Sequence, residues 1–294
     1  MHASGVTTVF HAARRTPATA TYLAILGGVG AVLGWLDHAG VSQVVAGAST
    51  NLDNLRAGQI ETLVTSAFLS EDVTLWALLL GIGSLLAGAE LLWGSRRTVV
   101  TFVFGHITAT LVVAAGLAVA VRQGWAPTSS LSADDVGVSY GMAAVLGALT
   151  ASLPERCRAP WAVWWVSLAT LAWMNTTTFT AGGHLTAVLL GLVVAAVAVH
   201  RGTVSAPLTG PRLALVAGGA VLGLAEIGWD SSWWLLLPLV GTAAVATGRL
   251  TPARHASAPD SGGLTPDSGG LTPDSGGLSG HASHPCAPAP GVIA

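Results

Sequence analysis

From Val73 to Val121 the chain reads VTLWALLLGIGSLLAGAELLWGSRRTVVTFVFGHITATLVVAAGLAVAV. Two apolar runs, 73–94 and 98–121, flank Gly94-Ser95-Arg96-Arg97. Each is long enough to cross a bilayer core as a helix, which takes ~20 residues. Glu90 and His106 are their only ionisable side chains. The reading is a membrane-spanning hairpin turning at the arginine pair.

The rest of the chain has the same character. Charged residues make up 9% and hydrophobic residues 52% of the sequence, and the mean hydropathy is +0.65. Soluble domains carry about a quarter charged residues, so this chain cannot cover itself with a water-facing surface. Its exterior must face lipid. The 37 glycines agree, since small residues let membrane helices approach closely. A net charge of −2 and the lack of a basic face give no reason to expect a nucleic-acid partner.

Further apolar stretches place spans near 18–36, 137–153, 160–174, 183–200, 212–229 and 232–248. The predicted fold is therefore an all-α polytopic membrane protein. All twelve basic residues are arginine. With the N-terminus in the cytoplasm, Arg14, Arg15, Arg96, Arg97, Arg156, Arg158, Arg201, Arg212, Arg249 and Arg254 fall on the cytoplasmic side. Only Arg56 and Arg122 fall outside. That bias sets the orientation, with both termini cytoplasmic. Cys157 and Cys286 then lie in the cytoplasm, where no disulfide is expected. Arg14-Arg15 and the first span could also serve as a signal peptide. The span is long for that role, however, and Ala46-Gly47-Ala48 lies too far downstream for cleavage.

Residues 37–72, which hold Asn51, Asp53, Asn54, Arg56 and Glu61, read as a structured loop on the outer membrane face. From about residue 250 the chain repeats Pro-Asp-Ser-Gly-Gly-Leu three times, a composition that cannot offset chain entropy, so a disordered tail is expected. His281, His284 and Cys286 in that tail match no closed metal-site spacing, and neither a metal nor another cofactor is expected.

Two helix starts carry the candidate chemistry. The fourth span opens with Asp134-Asp135-Val136-Gly137-Val138-Ser139-Tyr140-Gly141. A Gly-x-Ser-x-Gly motif in a hydrolase sheet needs a strand before it, and none is evident. Here Ser139 lies in the first turn of a helix entering from outside, where free N–H groups can stabilise an oxyanion. Gly137 permits an unusual turn just before it. The alternative is a serine that only caps its helix. The sixth span opens with Gly182-Gly183-His184. Topology puts His184 in the same leaflet as Ser139, where a neutral imidazole could take and return the serine proton. The alternative is an interfacial histidine bonded to a loop carbonyl. Ala187, Gly191 and Ala195 form a small-residue stripe for close packing. Near mid-bilayer, His106 needs a partner; Glu90 is one candidate, and both are read as structural intramembrane polar residues.

These residues resemble the rhomboid family of intramembrane serine proteases. Gly137-Val138-Ser139 matches the family motif that opens a short fourth helix. His184-Leu185-Thr186-Ala187 with Gly191 matches the start of the sixth. Leu63 to Leu69 resembles the family's approach to the second helix, and Glu90 with Gly94-Ser95-Arg96-Arg97 resembles that helix's end. Within the family the resemblance runs to the rhomboid-like membrane proteins of actinobacteria, which implies a bacterial cell membrane.

The resemblance implies a six-helix core over 18–200, preceded by a cytoplasmic N-terminus (1–17). An additional C-terminal helical hairpin (201–249) and the tail (250–294) follow it. It also implies a Ser139/His184 dyad, with Gly137, Tyr140 and Gly141 shaping the oxyanion site. The substrates would be single-span transmembrane proteins. The family's second-helix His-x-x-x-Asn is missing, and Tyr140 replaces the glycine that usually follows the serine. Those departures support another expectation, a catalytically inactive relative that binds transmembrane helices and alters their folding or traffic. A transporter or channel fits less well, because few ionisable residues sit within the spans and no inverted repeat is evident.

Overall fold

A computed structural model of the chain describes residues 14–69, 75–176, 178–203 and 205–228. These residues form helices and connecting turns. The expected eighth span and the repeat tail lie outside them.

The expected spans appear as α1 (Pro17–Leu33), α5 (Leu75–Trp93), α6 (Ser95–Arg122), α7 (Ser139–Ala148), α8 (Glu155–Thr176), α9 (Phe179–His200) and α10 (Gly210–Gly228). Stretches of α5, α6 and α9 are long and apolar enough to cross a membrane, while α1 and α10 are shorter apolar helices. Between α1 and α5 lie three short helices, α2 (His38–Ala48), α3 (Leu52–Arg56) and α4 (Thr62–Thr65), with a 3-10 turn at Ser66–Phe68. The structured loop expected there is thus helical. Its polar residues explain why: Asp37 caps α2 through Gly40 N–H, and Asn51 caps α3 through Asn54 N–H. The Asn54 amide also donates to the Ala46 and Ser49 carbonyls, fastening α3 to the end of α2.

The hairpin of α5 and α6 turns at Gly94, whose φ of +84° suits a residue without a side chain. Glu90, one turn earlier, accepts from the Ala18 and Thr19 N–H groups, the Thr19 hydroxyl and the Ser95 hydroxyl. Helix starts leave N–H groups without intrahelical partners, and a carboxylate on a neighbouring helix supplies them here. Glu90 is therefore committed to α1 and does not serve His106, the pairing considered from the sequence.

Short α7 is the centre of the fold: every residue from Tyr140 to Ala148 is buried. It can be central because it is thin. A side chain at Gly147 would collide with the α9 backbone at Val188, one at Gly191 with the Ala144 carbonyl, and one at Gly105 of α6 with the Ala144 methyl. Glycine at these crossings lets three helices meet at near backbone contact. Leu153-Pro154 ends the segment and leads into α8. On the far side, α10 packs on α5 through Gly81, Gly88 and Gly219, and its Gly223 faces Leu146 and Trp165.

Candidate functional site

The α7 entry is held from below and from the side. Gly137, with φ +131°, adopts a conformation rare for other residues, and its N–H donates to the Ser66 carbonyl. Asp135 N–H donates to the Ser49 hydroxyl, and Thr50 N–H to the Asp135 carbonyl. The Thr50 hydroxyl contacts both the Thr62 carbonyl and the Ser66 hydroxyl. Ser66 Oγ is in turn 3.2 Å from His106 Nε2. An unbroken polar chain thus runs from His106 through Ser66 to the turn carrying Ser139. Burial pushes the Asp135 carboxyl up to about 6.

Ser139 is the first residue of α7, behind Val138 as N-cap, a residue whose side chain supplies no cap. It is half-buried. The N–H groups of this first turn point back along the helix axis without intrahelical carbonyls. His184 lies in the second turn of α9 and is buried, with Nε2 lacking a hydrogen-bond partner. No hydrogen bond joins it to Ser139 among the described residues.

Tyr140 fills the space between these helices. Its ring meets His184 edge-on, with centroids 5.5 Å apart at 79°, and lies against the backbone of Gly183, where a side chain would strike it. The ring is also 6.3 Å from His106, so it bridges the two histidines. Phe102 stacks on His106 at 6.4 Å and contacts Tyr22 at 5.2 Å, extending the ring column to α1. The Tyr140 hydroxyl faces Asp135 and Thr180 without closing a hydrogen bond to either. Gly141 leaves room for the Phe102 ring, Gly191 meets the Ala144 carbonyl of α7, and Ala187 is buried one turn before it.

Sequence reasoning missed Ser49, Thr50 and Ser66 as supports of the α7 entry. Ser66 lay in a stretch already singled out, but hydroxyl residues in a loop carry no pattern that names their partners. Among the described residues no group of three His, Cys, Asp or Glu side chains could hold a metal ion.

Helices this apolar, meeting at glycines around a short buried helix, define a polytopic helical membrane protein. A family model described as rhomboid-like protein matches residues 11–204. The chain belongs to the rhomboid-like family. No curated protein and no solved structure matches it.

Proposed function

We propose that this rhomboid-like protein binds transmembrane helices of other membrane proteins without cutting them, from a cell membrane in which both its termini face the cytoplasm. One observation carries the reading: the Tyr140 ring packs edge-on against His184 and on the Gly183 backbone, and no hydrogen bond joins His184 to Ser139 among the described residues. A general base must come within about 2.6–3.2 Å of the proton it takes, and hydrolysis needs a water path. The His184 Nε2 has neither: it is buried and without a hydrogen-bond partner among the described residues. Helix α5 also lacks the family's His-x-x-x-Asn, and one missing oxyanion donor costs ~3 kcal/mol, or roughly 10²–10³ in rate.

A lateral groove supports helix binding. It has a volume of about 350 Å³ between α1, α4 and α6, with Ile25, Val64, Val99 and Val103 on its walls and His106 at its side. Single-span helices with small residues on one face are the clients it suits. The test is reconstitution with a panel of single-span proteins and a photocrosslinker at Val103. Crosslinked, full-length clients are expected, unchanged in S139A. Absence of any crosslink above a probe on exposed Val221 of α10 would end the proposal.

A second reading, an intramembrane serine endopeptidase, is favoured by the unpaired, buried His184 Nε2 and by a half-buried Ser139 at the start of α7. Ser139 Oγ would attack a scissile carbonyl, His184 would take its proton and return it to the leaving amine, and first-turn N–H groups of α7 would hold the oxyanion. Tyr140 would have to swing aside first. Cleavage of a panel member, abolished by both S139A and H184A, would establish this reading.

A further inference from the structure

At the end of the bundle opposite the α7 entry, α6 and α9 diverge into a cavity of about 320 Å³. Arg96 and Arg97 reach it from the first turn of α6, and Arg201 from just past the end of α9. All three are exposed, and none is in an ion pair among the described residues. Among the described residues no acidic side chain lines the cavity. Three like charges gather there with no acidic side chain among the described residues beside them, an arrangement that attracts an anion.

Below the arginines the walls turn apolar. Val100 of α6 and Val197 of α9 remain 59% and 43% exposed, and Val194 continues the trough. The wall is fixed: Trp93 Nε1 donates to Ser152 Oγ at 2.6 Å, and Ser152 lies 3.1 Å from Ser205 Oγ. Ala206 N–H donates to the Leu92 carbonyl, pinning this strap to the end of α5. A cationic head over an apolar trough, at the turn between two spans, matches one ligand chemistry: a phosphate diester with an acyl chain attached.

We propose that this cavity is a binding site for an anionic phospholipid of the adjacent leaflet. Its phosphate lies among Arg96, Arg97 and Arg201, and one acyl chain runs along the valine trough. Guanidinium groups suit phosphate oxygens because their N–H donors pair with them two at a time. The lipid would supply the missing counter-charge and brace α6 against α9, the two helices that grip α7.

The test uses the purified full chain in a neutral detergent, titrated with phosphatidylglycerol or phosphatidylcholine and read by native mass spectrometry. Retention of one phosphatidylglycerol in preference to phosphatidylcholine is expected. Near an anionic lipid each arginine is worth roughly a fivefold effect, so R96Q/R97Q/R201Q should weaken retention ~100-fold. R14Q/R15Q/R156Q, which removes the same charge from residues outside the cavity, should not. Because the three cavity arginines are exposed, loss of folding is not expected, and an unchanged circular dichroism spectrum checks this. Equal retention of both lipids, or equal loss in the two triple variants, overturns the proposal. So does displacement by millimolar inorganic phosphate alone, which would mark a phosphate site and not a lipid site.

Discussion

Tyr140 is the residue on which the chemistry turns. An aromatic ring gains both buried area and edge-to-face contact, together worth a few kcal/mol, and here it gains them from His184, Gly183 and His106. Replacement by glycine, the family's usual residue, would restore the opening at a cost to packing. We expect Y140G to lose ~3–5 kcal/mol of stability, as large aromatic truncations do, and to admit water to His184. The measurement is a thermal melt alongside hydrogen exchange of the α7 entry. Asp135 offers a pH test. Its folded-state carboxyl is raised to about 6 from an ordinary 3.8, so folding favours its protonated form. Its contribution is fully present below about pH 4 and is lost as pH rises through 6. D135N should flatten that part of the melting curve between pH 4 and 7; an unchanged slope would show that Asp135 titrates normally. Ser139 and His184 were legible because both residue types sit at helix starts in a recognised order. The position of the tyrosine ring was not, because sequence gives a side chain's bulk without the rotamer that places it.

Among the elements, α1 and α7 depend most on others. The start of α1 is capped by Glu90 across a 71-residue separation, which no local signal reveals. Removing the carboxylate leaves two buried or half-buried N–H groups unpaired at about 1–3 kcal/mol each. E90A should therefore lower stability by ~2–5 kcal/mol and E90Q, which retains an acceptor, by less; chemical unfolding in detergent reads the difference. For α7 the limit is space. G191L must displace the Ala144 carbonyl, and backbone cannot yield as a side chain can. We expect no folded G191L, measured as loss of the monodisperse peak on size exclusion. The small-residue stripe containing Gly191 could be read directly, since its four-residue spacing is a helix-face pattern. The tie from His106 through Ser66 to Gly137 could not, because it joins three segments whose pairing exists only once the chain is folded.

At the scale of the molecule, hydropathy carries the architecture. Water is absent from the bilayer core, so backbone polar groups must be satisfied within each span, and that constraint makes span order readable from composition. Helical structure in the 38–65 region was less legible, because its caps are short polar motifs within a weakly apolar stretch. The proposed orientation can be checked at Cys157, which is exposed. In intact cells carrying the C286S background, a membrane-impermeant maleimide should leave Cys157 unlabelled until the membrane is opened. Labelling of unbroken cells would invert the topology and move the arginine-lined cavity to the outer leaflet.

The proposal stands on an unreactive Ser139: with the Tyr140 ring packed on His184, the serine has no base to take its proton. Treating native membranes with a fluorophosphonate and locating the adduct by peptide mass spectrometry tests it most directly. No modification of Ser139 is expected in the wild-type chain. An adduct on Ser139 that vanishes in H184A would contradict the proposal and show a serine activated by that histidine.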